Sequence, residues 1–239
     1  MIHAPEISII IPTANEARAL PECLAQIAGG PNEIIVVDAL SEDGTAAIVE
    51  AAGAQLLTYP QRHRARQMNR GAAEARGRIL LFLHADTTLP RGALERIAEA
   101  LERPEVVGGA FRRRYRDPSL VLALTCRLAD LRSRLFGWHL GDQALFVRRD
   151  IFEKLGGYRD IPIFEDLDFS RRLRAHGRTV TLAPPVRSSA RRFARNGPLR
   201  TTGADLLLTA QYLLGTDPNE LCQPRPDHLK ALQTYERIS

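Results

Sequence analysis

Apolar positions in this chain fall into short unbroken runs separated by stretches of helical period. Residues 7–11 (ISIII), 33–38 (EIIVVD), 55–59 (QLLTY) and 79–83 (ILLFL) show little polar alternation and are too short to span a bilayer, so they read as strands, the last of them buried on both faces. Between them the apolar residues recur every three to four positions. One helix opens at Thr13-Ala14-Asn15-Glu16 and runs through Leu20, Cys23, Leu24 and Ile27 to a stop at Gly29-Gly30-Pro31. A second runs from Thr45 through Ile48, Val49 and Ala52, and a basic third covers residues 62–76. Alternating strand and helix predicts parallel β-α-β units with right-handed crossovers, an α/β fold with a mostly parallel central sheet. Ligands of such open sheets bind at the C-terminal ends of the strands.

After Pro90 the pattern continues with an amphipathic helix over 92–101, an arginine-rich strand over 106–116 and a helix over 118–136. That helix carries Leu120, Leu124, Leu128, Leu131 and Leu135 on overlapping turns, a stripe expected to face the core. A strand over 144–148 follows, then a helix whose first turn holds Glu165, Asp166 and Asp168 and whose apolar side includes Phe169 and Leu173. A strand over 179–182 is expected to break at Pro184-Pro185, and a last long helix covers 198–214 as a packing, dimer or interfacial element. The tail from Thr216, rich in proline and charge, is expected outside the core. The division predicted is one α/β domain over 1–195 and a C-terminal helical extension with its tail over 196–239.

The strand ends carry the chemistry. The first strand runs into Thr13, Asn15 and Glu16, the second ends in Asp38, and the fourth ends in His84-Ala85-Asp86-Thr87-Thr88. A carboxylate delivered by a rigid strand into a crevice suits a divalent cation, so Asp86 is a candidate ligand for Mg²⁺ or Mn²⁺, with His84 beside it; the plainer alternative is a turn entering the next helix. Asp38 can accept hydrogen bonds from a base N–H or ribose hydroxyls, while Thr13 or Asn15 can simply cap a helix. Arg64 or Arg66 could face a diphosphate, and so could Arg191 within the cluster Arg187, Arg191, Arg192 and Arg195, which equally suits an anionic lipid surface. Asp142 in Gly141-Asp142-Gln143 suits a turn. Three acids within one helical turn gain from the helix dipole but repel one another, and repulsion with partial burial raises at least one pKa toward the range of a general base.

Bulk composition narrows the class. The 239 residues are 44% hydrophobic and 26% charged, enough to bury a sizeable core, and no apolar run reaches the length of a membrane helix. The net charge is +5, from 33 Lys+Arg against 28 Asp+Glu, and nearly all the positive charge is arginine, the residue suited to planar contact with phosphate. Zinc-finger spacing, an RNP1-like run and a helix-turn-helix cue are missing, so nucleic acid is not expected. Cys23, Cys126 and Cys222 lie far apart, without C-x-x-C spacing, which suits a reducing compartment. The N-terminus reads as a strand rather than a signal peptide, giving a cytoplasmic expectation. The glycine-rich dinucleotide fingerprint and the P-loop are both absent.

Four segments then carry a specific resemblance: I-S-I-I-I-P-T-x-N-E, I-I-V-V-D-x-x-S-x-D-G-T, R-A-R-Q-M-N-x-G and F-L-H-A-D-T-x-L-P, in this order. Together they resemble family 2 glycosyltransferases, and within these the small cytoplasmic group with H-A-D where others have D-x-D. The resemblance implies a GT-A fold with a Rossmann-like nucleotide-binding half, a nucleotide-diphospho-sugar donor, most readily a UDP-sugar, an assisting divalent cation, and inverting transfer to an acceptor hydroxyl. It assigns Thr13, Asn15, Glu16 and Asp38 to the nucleoside, Asp86 to the metal motif, Gly141, Asp142 and Gln143 to the substrate pocket, and Asp166 to the general base with Glu165 positioning it. Arg64 and Arg191 are expected at the donor's diphosphate. Ala39 replaces a second acid usual after the second strand, His84 stands where a first metal-motif acid often stands, and the late histidine ligand of such enzymes is not found near residues 186–195. A nucleotidyltransferase would need a glycine-rich basic loop after the first strand. A non-catalytic nucleotide-sugar-binding partner subunit would not need Glu165-Asp166. The acceptor is open, lipid-linked ones included, as are peripheral contact with the inner face of a membrane and a homodimer.

Overall fold

The computed structural model describes residues 6–117 and 119–222. In chain order the elements are β1 (Ile7–Thr13), α1 (Leu20–Ala25), β2 (Glu33–Asp38), α2 (Thr45–Ala51), β3 (Gln55–Thr58), α3 (Arg64–Glu74), β4 (Ile79–Phe82), β5 (Thr87–Thr88), α4 (Ala93–Glu102), β6 (Val106–Tyr115), α5 (Leu120–Phe136), β7 (Leu145–Arg148), α6 (Arg149–Lys154), α7 (Glu165–His176), β8 (Arg178–Ser188), α8 (Arg191–Asn196), α9 (Pro198–Leu213) and α10 (Pro218–Cys222). The strands form one eight-stranded sheet in the order β3-β2-β1-β4-β7-β6-β8-β5. The β3-β2-β1-β4 half is parallel, as the alternation of elements predicts, whereas β7 runs antiparallel to both β4 and β6. The α/β architecture with a C-terminal helical extension is thus the observed one.

Alternate residues of each central strand feed the two faces. Ile7, Ile9 and Ile11 of β1 join Val36, Leu81 and Phe146 under α1, α2 and α4, while Ile10 joins Ile35, Val37, Leu80, Phe82 and Val147 under α3, α6 and α7. Both faces being covered explains why these strands read as continuous apolar runs. Helix α3 approaches the sheet closely at Gly71, where an added Cβ would stand 2.6 Å from the Ile10 side chain.

Four expectations are corrected. Helix α1 starts at Leu20, not after Thr13, because the backbone N–H groups of Asn15, Glu16 and Ala17 donate instead to Ser41, Thr45 and Asp43, holding residues 14–19 as a loop. Strand β1 runs past Pro12 to Thr13: its ladder with β4 ends at Ile10, and Pro12 pairs only with β2. Pro184-Pro185 does not end β8. They loop out between the Phe111–Leu182 and Arg113–Val186 pairs, and the parallel ladder with β6 then resumes. The leucine stripe of α5 faces outward. The helix packs instead through Leu122, Cys126, Ala129 and Ser133, mostly small side chains that let it lie close to β6 and α9, leaving Leu120, Leu124, Leu128, Leu131 and Leu135 exposed. Of the tail, α10 carries Leu221 into a buried position, and residues 223–239 lie outside the described residues.

Candidate active site

Parallel strands β1, β2 and β4 end side by side, so their terminal residues share one crevice. At the β1–β2 end the Thr13 hydroxyl donates to Asp38 Oδ1 at 2.7 Å, and Ser41 donates through its hydroxyl (2.6 Å) and its backbone N–H (2.7 Å) to the same carboxylate. Asn15, at φ 56°, gives its N–H to the Ser41 hydroxyl and takes the Glu42 N–H on its side-chain oxygen. Asp38 is therefore buried and knits the loops after β1 and β2 into one wall. Gln67 of α3 completes that wall: its amide donates to the carbonyls of Thr13 at 2.9 Å and Val37 at 2.8 Å.

Next along the sheet, Asp86 is drawn together with Glu16 by a single guanidinium. Arg191, the first residue of α8, places Nη2 2.9 Å from both Glu16 carboxylate oxygens and 3.1 Å from Asp86 Oδ2. Burial raises the Glu16 pKa above its ordinary value, opposed by Arg191, and the two carboxylates raise that of Arg191 against its own burial. A hard divalent cation takes six or more oxygens. Here two carboxylates converge and a permanent cation already stands between them, and among the described residues no group of three His, Cys, Asp or Glu could hold a metal ion. In this structure the place between the two carboxylates is taken by the Arg191 guanidinium. His84, the other metal-motif candidate, packs against Gly141, where a Cβ would stand 2.8 Å from its Nε2. Burial and the nearby Arg64 lower its pKa, against the pull of Asp86, Asp142 and Asp166.

The far end of the crevice is built from the turn Gly141–Gln143 and the start of α7. Gly141 donates its N–H to Asp166 Oδ2 at 2.6 Å, and Leu167 donates to Oδ1 at 2.6 Å, fixing the Asp166 carboxylate by both oxygens. Gly141 is needed here, since a side chain would press on both His84 and Asp166. Asp142 pairs with the buried Arg113: burial pushes the Asp142 pKa up, but the Arg113 charge, with that of Arg132, holds it below the ordinary carboxylate value. Gln143 is fully buried: it donates to the Phe111 carbonyl at 3.0 Å and accepts from the Leu140 N–H at 2.9 Å, so the turn is held by Gln143 and presents Asp142. Glu165 sits 2% exposed with Oε1 3.0 Å from Arg64 Nε. Burial lifts its pKa to about 7, Arg64 opposing and Asp166 adding to the rise. Asp168 is tied by Arg159 and Arg172 away from the crevice.

The crevice thus gathers Thr13, Asn15, Glu16, Asp38, His84, Asp86, Gly141, Asp142, Glu165, Asp166, Arg64 and Arg191 around the strand tips. Arg66 is turned aside into a bidentate pair with Asp160, at 2.6 and 2.7 Å. Two residues escape a reading of the sequence. Arg113 is one arginine among three in a strand, and only the register shift between Phe111 and Arg113 aims it at Asp142. Gln67 lies in a helix whose basic residues dominate the pattern. Buried Arg113 Nε, Asp142 Oδ1 and Glu165 Oε2 have no hydrogen-bond partner among the described residues, which marks this end as the one open to further polar contacts.

Comparison with known proteins identifies the family. The model of "Glycosyl transferase family 2" matches residues 8–156. A PGL/p-HBAD biosynthesis glycosyltransferase of Mycobacterium tuberculosis is 34% identical over 192 residues, covering 74% of this chain and 73% of that one. Among solved structures, the mannosyltransferase PcManGT from Pyrobaculum calidifontis, in complex with GDP-Man and Mn²⁺, superposes with a TM-score of 0.66 at 22% identity, over 99% of this chain and 71% of that one. S. aureus TarS in complex with UDP superposes with a TM-score of 0.65 at 17% identity, over 77% of this chain and 60% of that one, so this chain spans less than two thirds of it. The chain belongs to glycosyl transferase family 2 and is a sugar-transferring enzyme that uses a nucleotide-sugar donor.

Proposed function

We propose that the enzyme moves a sugar from a nucleoside-diphosphate donor, with a UDP-sugar the first to assay, to an acceptor hydroxyl with inversion at the anomeric carbon. What supports this reading is Gly141, which donates its N–H to Asp166 Oδ2 at 2.6 Å and packs against His84, two residues before the Arg191 partner Asp86, so that the Arg191 end and the Glu165-Asp166 end lie side by side. The nucleoside lies against the wall of Thr13, Asn15 and Asp38, and the diphosphate lies at Arg191, with Arg64 at the other side. The acceptor oxygen attacks the anomeric carbon, the bond to the diphosphate oxygen breaks with its electron pair leaving on the diphosphate, and the acceptor proton passes to Asp166. Arg191, held in place by Glu16 and Asp86, neutralises the charge that develops on the leaving group. No step is assigned to Mg²⁺ or Mn²⁺, because the cation position between Glu16 and Asp86 is filled by Arg191. Glu165 shares the negative charge of the base end, and its partial protonation near neutrality spares Asp166 a full neighbouring charge.

Calorimetric titration of UDP, GDP and CDP, each with Mn²⁺ and with EDTA, into the wild type and the Arg191→Ala variant tests the donor site. One diphosphate binding equally under both conditions, and weakly in the variant, supports the reading. Binding that requires Mn²⁺ would return the cation role to a metal displacing Arg191. Binding of none at millimolar concentration would overturn the donor site and favour a non-catalytic partner subunit.

A further inference from the structure

The two helices whose solvent faces are most apolar are in contact and stand beside the acceptor end of the site. On α5, Leu120, Leu124, Leu128, Leu131 and Leu135 are between 50% and 86% exposed, and they fall within one stripe along a 17-residue helix. On α9, Leu199, Leu206 and Leu213 recur every seven residues and are all exposed, with Gly203 and Ala210 between them, so this stripe itself carries no charge. An amphipathic helix in a globular protein normally turns such a stripe inward. No helix among the described residues is long and apolar enough to cross a membrane, so the stripe does not belong to a span. Contiguous exposed apolar surface of this kind marks an interaction face.

The charges beside the stripes identify the partner. Exposed Arg127 and Arg134 border the leucine stripe of α5, and exposed Arg195 and Arg200 lie at the junction of α8 and α9. The acids of these three helices are Asp130 and Asp205, and each is already paired, with Arg114 and Arg192 respectively. A second copy of this chain docked stripe to stripe would set arginine against arginine. An anionic bilayer instead accepts the leucines below the headgroups and the arginines among them, the arrangement of interfacial amphipathic helices. We propose that α5 and α9 form a docking face for an anionic lipid surface. The face is continuous with the site: α5 follows β6, which supplies Arg113, and Tyr212 of α9 stacks on Phe164, the residue before Glu165, at 4.8 Å between ring centroids and 17° between planes.

The test is co-sedimentation of the full chain with phosphatidylcholine vesicles, with and without phosphatidylglycerol, alongside the triple variant Leu124→Gln/Leu128→Gln/Leu131→Gln and the double variant Arg127→Gln/Arg134→Gln. The wild type is expected to partition about tenfold or more in favour of the anionic vesicles and to be released by salt. The leucine variant is expected to lose about tenfold on both vesicles, and the arginine variant to lose only its preference for the anionic ones. Because all five side chains are exposed, hydrolysis of the nucleotide-sugar donor in the absence of vesicles serves as the fold control and stays unchanged. Equal sedimentation of all three proteins would overturn the proposal. So would a dimer in analytical ultracentrifugation that the leucine variant dissociates, since the face would then be covered by a second copy.

Discussion

The two ends of the crevice are built on opposite principles. At the Asp38 end every carboxylate oxygen is engaged by Thr13 or Ser41, and Gln67 ties the strand ends behind them, so the wall is complete without a ligand. At the Glu165 end three buried polar atoms, Arg113 Nε, Asp142 Oδ1 and Glu165 Oε2, have no partner among the described residues, and one carboxyl is pushed up to about 7. Buried polar groups cost free energy unless they are satisfied. The first end therefore contributes to holding the fold, and the second leaves polar atoms to take further partners. The same residue type, an acid at the end of an element, is a strut in one place and, on the function proposed above, the seat of chemistry in the other.

Substitutions can break this contrast. The largest effect is expected from Asp166→Asn, which removes the proton acceptor: kcat falls about 10³-fold, a loss of about 4 kcal/mol, while the melting temperature hardly moves. A variant that unfolds would put Asp166 among the struts. Arg191→Ala is expected to lower kcat/KM by about 10²-fold, with activity in EDTA matching activity in Mn²⁺ for the wild type. Restoration of the variant by Mn²⁺ would show that the ion pair merely keeps the place of a metal.

Glu165 sharpens the contrast through pH. Its carboxyl rises from 4.5 to about 7 on folding, so between those values the folded chain holds one more proton than the unfolded chain. Its contribution to stability is fully present below about pH 4.5 and is lost as pH rises through 7. Glu165→Gln is expected to be neutral at pH 5 and to gain about 2–3 kcal/mol at pH 8 in urea unfolding. Identical shifts at the two pH values would mean that Glu165 ionises as it does in water. The smallest expected effect is at the strut end, where Asp38→Ala costs about 2 kcal/mol of stability and weakens nucleotide binding in step with the loosened wall. If binding vanishes while stability holds, Asp38 touches the nucleoside directly and the contrast fails.

Much of the parallel half was legible because its strands are covered on both faces and so appear as apolar runs ending in Thr13, Asp38 and His84-Asp86. Helices α4 and α5 show where legibility stops. Both present an apolar stripe of helical period, yet Ile97 and Leu101 of α4 are buried while the leucines of α5 point outward. Periodicity tells that a helix has two sides and leaves open which one the sheet receives; small residues at Cys126, Ala129 and Ser133 decided it for α5. The acids of the site could be named from the strand ends and the start of α7. The meeting of Arg191 with Asp86 and with Glu16, across 105 and 175 residues, depends on the final packing of α8 and has no local signal. The division of labour between Glu165 and Asp166 is likewise a matter of burial, which two adjacent acids in a sequence do not reveal.

The Phe164–Tyr212 stack joins a residue in left-handed backbone conformation, at φ 64°, to the outermost long helix. It works as a latch between the chemistry and the surface of the molecule. Tyr212 thereby packs the end of α9 against the residue that precedes Glu165 and Asp166. If a contact made from outside through α9 changes donor affinity by some factor, the donor changes that contact by the same factor.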